Sequence, residues 1–349
     1  MLTYTDLAKE MGRTTQSVAQ ASNDWLRAGY EGEEAAKLTK ASMMLSTLGM
    51  IEATDATTYL ISTLKGWKIS ANEVIGVVDK LTAVDMAAAI SAGELALAMS
   101  RANNSARLAG SDMNQFIGYV TTVADVTQKS AESVGESFKT IYSRFGNVKA
   151  NKYAATTADM DAADYNSDEF ENLNDIETVL TKQGIKLRET AGTWRDIDDV
   201  ISDIAEKWKT WDKTTQNAVA TVVAGTRQRE NVITLFENWD NVAKYAEIAE
   251  NAYGTATVKM SAYTDSIEAS QYRLTTAVEE WSLRLNQSGA IKTFYDVLGF
   301  ATENMDALIL SVGGLLIALN GTAIITTFYS GLSKLGLKLM EIGAVTPSV

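Results

Sequence analysis

The residues able to do chemistry are few. The chain has no histidine and no cysteine, so thiolate zinc sites, cysteine nucleophiles and every histidine-dependent triad are excluded. Disulfides are excluded too, and cysteine usage gives no reading of the redox compartment. What remains is carboxylate, lysine, serine and tyrosine chemistry. Paired acids occur at Glu33/Glu34 and at Glu279/Glu280. A glycosidase needs one carboxyl in an apolar pocket and another across a cleft, whereas adjacent acids on a helix point to different faces. These pairs read as solvated faces. Asp159, Asp161 and Asp164 lack the central glycine and closing glutamate of a calcium loop, so no metal site is expected there. Trp208, Trp211 and Trp239 could stack on bases or sugars, but at helical spacing such rings are core anchors. The compact cluster Arg227-Gln228-Arg229-Glu230 follows a small-residue run and reads as a local capping and pairing group. No phosphate-binding glycine loop is present. No catalytic, cofactor-binding or metal-binding residue is assigned, no cofactor is expected, and the chain is not expected to be an enzyme.

The elements that carry these residues are helices. One proline in 349 residues, Pro347, and an apolar fraction of 46% describe a folded chain that avoids the residue most hostile to helix interiors. A net charge of −13 opposes a general nucleic-acid surface, which needs clustered Lys and Arg. Met1 to Leu7 lacks the basic and apolar regions of a secretory signal, so none is expected there.

Four parts are expected along the chain. Residues 1–150 form a helical-repeat-like domain, with helix starts at Thr15, Glu33, Glu52, Ser70, Ser91, Ser111 and Ser130, spaced roughly 18 to 21 residues apart. Ser70-Ala-Asn-Glu73 and Ser91-Ala-Gly-Glu94 carry the capping-box pattern. Apolar stripes such as Val74, Val77, Val78 and Leu81 follow them. The product is a stack of short antiparallel helices. Residues 151–175 hold seven acids against one lysine and read as an acidic, solvated connector.

Residues 176–300 form a second helical domain. Alternation around Gly184–Arg195 predicts one small β-hairpin near 185–195. From Val258 to Gln287 the pattern predicts a long uninterrupted helix. Tyr263, Ile267, Ser270, Leu274, Ala277, Trp281 and Leu285 form a heptad-like, coiled-coil seam on it, whose partner lies either in this chain or in another copy. Residues 301–349 form an apolar segment in which Ala307 to Ser333 carries no charge. That run is long enough to cross a bilayer, or it forms two short buried helices broken near Asn320-Gly321. The fold class is therefore all-α: stacked short helices, then longer ones, with one hairpin.

Three stretches together resemble the core region of phage tail tape-measure proteins of siphophages and prophages. They are Ser130-Ala-Glu-Ser-Val-Gly-Glu-Ser-Phe-Lys-Thr-Ile-Tyr-Ser-Arg-Phe145; Ile204 to Asp212 with Val223-Ala-Gly-Thr-Arg-Gln-Arg229 and Phe236-Glu-Asn-Trp239; and the long helix ending Glu280-Trp281 with its apolar tail. The resemblance spans about residues 3 to 330. It implies a virion structural protein packed in the tail lumen, which sets tail length and assists genome ejection through the host envelope. It implies as partners the tail tube protein, tail assembly chaperones, baseplate or tail-tip proteins, other copies of itself, and the host membrane through 307–333. No specific nucleic-acid binding is implied. Such rulers are usually much longer; a wholly helical chain of this length would span roughly 520 Å, so the resemblance implies a fragment, a truncated prophage copy or one domain of a longer ruler. Two other readings fit the residues alone: a membrane-active helical protein of toxin type, and a helical-repeat adaptor.

Overall fold

The computed structural model describes residues 4–151, 176–190, 193–266 and 268–277. The acidic connector expected at 151–175, apart from Asn151, and the apolar segment expected at 307–333 lie outside the described residues. By contacts the chain divides into Met1–Thr276 and Ala277–Val349; the fold below is that of the first unit.

Eight helices open the chain: α1 (Tyr4–Met11), α2 (Thr15–Arg27), α3 (Gly32–Leu48), α4 (Ala53–Trp67), α5 (Val74–Asp85, entered through a short 3-10 turn), α6 (Ala92–Ala109), α7 (Met113–Thr127) and α8 (Ala131–Asn151). From α2 onward the starts fall at or within two residues of the expected positions, counting the 3-10 turn at Ala71 as the start for α5, because the capping chemistry is written locally. The Glu73 carboxylate accepts from the Ser70 amide at 2.8 Å. Glu94 and Ser91 exchange bonds in both directions, at 3.0 and 3.2 Å. Asp112, one residue beyond the expected Ser111, caps α7 by accepting from the Asn114 and Gln115 amides. Each cap satisfies amides that the first helical turn leaves without partners.

The helices stack in two rows. α2, α4, α6 and α8 pack successively on one another, while α3 and α5 start a second row. Ser62 donates to the Ser100 carbonyl at 3.0 Å, and the Trp67 indole donates to Asn103 at 2.8 Å. Arg107 reaches the Gly66 carbonyl. These contacts advance together along both helices, so α4 and α6 run in the same direction. Their sequence separations of 38, 36 and 41 residues are close to twice the roughly 19-residue helix-turn unit, as a stack of helical pairs requires.

Among the described residues, helix at 176–182 leads on to α9 (Ile197–Trp208), α10 (Lys213–Glu237), α11 (Trp239–Glu250) and α12 (Thr255–Thr264). α11 packs on both α5 and α7 and so completes the second row, and α12 lies on α5 and α3. Two corrections to the expected layout appear. Among the described residues of 185–195 there is no strand; one isolated antiparallel bridge joins Arg188 and Trp194. Ile185 and Leu187 do turn inward and are buried. However, Arg188 lies 3.7 Å over the Trp194 ring and pairs with Glu177, and the α9 N-cap at Asp196 ends the second arm after one pairing.

The helix expected to run unbroken from Val258 is also interrupted. α12 stops at Thr264 and helix resumes at 268–277. Between them Ser266 bonds back to the Tyr263 carbonyl and its hydroxyl accepts from the Ala269 amide, so this serine starts a new helix. Of the expected seam, Ser270, Leu274 and Ala277 are exposed.

Close packing in the rows depends on small residues. A Cβ at Gly135 on α8 would sit 2.3 Å from the Ala98 carbonyl oxygen of α6. At Gly76 on α5 nothing lies within 4 Å. Gly135→Val should therefore lower stability in urea denaturation by about 1–3 kcal/mol through overpacking. Gly76→Ala should raise it by about 0.4–1 kcal/mol by restricting the unfolded chain.

Candidate functional site

The residues with chemical potential do not converge. Glu33 and Glu34 lie exposed in the first turn of α3, and Glu33 pairs with Lys37 along the same helix. Glu279, Glu280, Asp159, Asp161 and Asp164 lie outside the described residues. Among the described residues no group of three or more acids is placed to hold a metal ion. A cleft of about 60 Å³ lined by Ala89, Ile90, Glu94, Ala124, Gln128, Lys129 and Ala131 has room for a few waters, far below the ~300 Å³ at which small-molecule sites begin.

The tryptophans do converge, on one another. Trp211 meets Trp208 at 6.1 Å, Trp208 meets Phe236 at 4.9 Å, and Phe236 meets Trp239 at 6.4 Å between ring centroids. Trp239 stacks on Tyr119 at 5.9 Å, Tyr119 on Phe138 at 6.1 Å, and Phe138 meets Phe116 edge-on at 6.0 Å. Phe116 also contacts Tyr142 and Trp67. The result is a continuous column of rings from α4 through α7 and α8 to the far helices. Trp208 is buried to 1% exposure, which removes it from any role in stacking on an external base or sugar.

Three carboxylates bind the late helices to the early ones. Asp79 on α5, itself 3% exposed, accepts from the Gly254 and Ala256 amides at 2.9 and 2.8 Å and so caps α12. Asp125 on α7 accepts from the Ala89 amide and the Tyr245 hydroxyl, both at 2.8 Å. Asp198, in the first turn of α9, accepts from the Ser111 hydroxyl at 2.8 Å, the Asp112 amide at 2.7 Å and the Tyr119 hydroxyl at 3.0 Å. Burial pushes the Asp198 carboxyl above its usual range although these donors oppose the shift. Beside Asp79, the Lys80 ammonium donates to Asn114 and to the Ala249 carbonyl. Burial lowers its pKa.

The Arg227–Glu230 cluster divides. Gln228 accepts from the Ser137 hydroxyl, and Asn231 donates to that same hydroxyl. Glu230 pairs with Lys129, which draws its carboxyl below the usual range. These bonds span 91 to 101 residues, so the cluster pairs with α8 and not only with its own helix. Arg227 and Arg229 are exposed.

Sequence reasoning did not single out Asp79, Asp125 or Asp198, and it held Ser137 only as part of the stretch Ser130–Phe145. Asp79 alone gave a signal, as a charge inside the apolar stripe Val74, Val77, Val78 and Leu81.

The site is thus an assembly of helix-to-helix fastenings whose chemistry is structural. It predicts alkaline lability. The Tyr119 and Tyr142 hydroxyls are pushed well above 10.0, first by burial and then by the Asp198 charge, and Tyr245 is raised to about 12 by burial and Asp125. Their unfolded counterparts ionise near 10. Above that pH the unfolded state binds fewer protons, so stability is complete below about pH 10 and falls as pH rises toward the folded pKa. Absorbance titration at 295 nm should show these tyrosines ionising together with the loss of helical ellipticity. Tyr245→Phe should flatten the fall above pH 10.

The profile of the family described as phage-related minor tail protein matches residues 5–225, from α1 into the middle of α10. No solved structure matches the chain.

Proposed function

The chain belongs to the phage-related minor tail protein family, a structural component of phage tails, and from that premise we propose that it is the core segment of a tape-measure protein. In this reading it sets tail length and assists genome delivery through the host envelope. The observation that carries the reading is the meeting of two stretches on which the tape-measure resemblance rests. Ser130–Phe145 lies on α8, and Val223–Arg229 lies on α10. Ser137 bonds to Gln228, and Arg144 donates to the Val222 carbonyl at 3.1 Å. Motifs recognised separately in the sequence are two sides of one junction, which explains why their order and spacing belong together.

The partners that follow from the reading are the tail tube protein, the tail assembly chaperones, the baseplate or tail-tip proteins and further copies of the chain. The uncharged run Ala307–Ser333 supplies a segment able to enter the host membrane during ejection. The reading assigns no reaction to the chain.

Tail length tests it. In-frame duplication of residues 32–67, the α3–α4 pair, should lengthen tails measured by electron microscopy by about 54 Å if the added chain lies helical along the tail at ~1.5 Å per residue. Assembled tails of unchanged length would sink the ruler reading. Replacing apolar residues by polar ones within 307–333, at constant chain length, should leave tail length alone and reduce DNA delivery. If the purified chain permeabilises liposomes through that segment while tails keep their length after duplication, the membrane-active reading replaces it.

A further inference from the structure

α10 is two helices that meet at Gly225, whose φ of 72° and ψ of 167° are not helical. The chain reverses there. The Lys213 ammonium and the Glu237 carboxylate, at the two ends of α10, lie 3.3 Å apart, and Trp208, just ahead of α10, rests against Phe236 near its end. In a straight helix those ends would stand about 36 Å apart, 24 rises of ~1.5 Å. A single glycine therefore separates a tight hairpin from a rod, and a positive φ is a conformation that only glycine adopts without strain.

The flanking sequence, Val222-Val-Ala-Gly-Thr-Arg227, holds no proline and no Asp or Asn cap at the bend. Every residue in it can continue a helix. What fixes the bend comes from α8 and the residue before its cap. Arg144 donates to the Val222 carbonyl at 3.1 Å, three residues before the bend. Its guanidinium lies beside Gly225. Beyond the bend, Ser137 holds Gln228 and Asn231, and Lys129 holds Glu230 and Asn231.

The apolar pattern makes the choice discrete. Before the bend the buried positions are Val219, Ala220, Val223 and Ala224; after it they are Val232, Leu235 and Phe236. On a continuous helix, at about 100° per residue, the two sets would point roughly a third of a turn apart. A straight α10 cannot fill the same core, so no intermediate bend satisfies both sets.

We propose that α10 is a latched hinge. Held by Lys129, Ser137 and Arg144 it is a hairpin closed at Gly225; released from α8 it opens into one continuous helix. The proposal stands on this geometry and does not depend on the tail-length reading.

Spin labels at Lys213→Cys and Glu237→Cys test it, in a chain with no other cysteine. Dipolar EPR on the otherwise unaltered chain should give a short distance. Gly225→Ala makes the hairpin conformation strained and favours helix. Arg144→Ala with Lys129→Ala removes the latch while leaving glycine in place. Each background should raise the population near ~36 Å by about tenfold, with helical ellipticity kept or increased. A single short distance in both folded variants would overturn the hinge. So would loss of helical ellipticity in both without the long distance, because Gly225 would then be a fixed turn whose breaking unfolds the chain.

Discussion

The fold of this chain depends on burying aromatic rings contributed by helices far apart in sequence. Helices α1 to α8 form rows of Ala-, Ser- and Thr-rich surfaces, whose close packing offers little apolar area per contact. The column from Trp67 through Phe116, Phe138, Tyr119, Trp239, Phe236 and Trp208 supplies large side chains where the rows meet the later helices. A buried aromatic side chain is typically worth about 3–5 kcal/mol against alanine, a large share of the ~5–15 kcal/mol by which domains are stable. The column crosses to the later helices at Tyr119 on α7, which stacks on Trp239, 120 positions later.

The polar groups serve the same union. Asp79, Asp125 and Asp198 are carboxylates partly or wholly withdrawn from water, and such burial is costly unless hydrogen bonds replace the solvent. Asp79 and Asp198 find their donors across the junction between α1–α8 and α9–α12, and Asp125 finds one there, Tyr245, beside the Ala89 amide on its own side; removing either side would strip these carboxylates of the donors it supplies. The Asp198 carboxyl is shifted upward because desolvation exceeds the effect of its donors. Registration of the two groups of helices is set by these fastenings, while the rings supply most of the apolar area.

Much of the helical framework was legible in the sequence. Ser70, Ser91 and Glu94 announce their helices because capping is local chemistry, and the roughly 19-residue spacing announces pairs because a two-row stack repeats its contacts. The insertion of α11 beside α5 and α7 was not legible, since Val242, Tyr245 and Ala246 look like any amphipathic stripe. At Gly225 the small-residue run Ala224-Gly225-Thr226 marked a helix end, but not the reversal of the chain there. The hairpin near 185–195 was over-read: alternation of Ile185 and Leu187 reported burial of one face, which a single bridged arm achieves without a sheet. Likewise the pattern beyond Val258 kept helical spacing across Asp265-Ser266, and the serine cap that breaks it was available in the sequence but outweighed by periodicity. No enzyme-like cluster was expected among the residues chosen, and the structure resolves several of them, Trp208, Gln228 and Glu230, into fastenings.

Native-state hydrogen exchange measures the central claim, that α1–α8 and α9–α12 form one cooperative unit joined through the aromatic column and the buried carboxylates. The core amides of α7, α8, α9 and α11 should exchange with one common opening free energy, equal to that of global unfolding. Exchange from α9 and α11 through an opening several kcal/mol easier than that of α7 and α8 would contradict the account, because the later helices would then be a detachable layer on a stack that is stable without them.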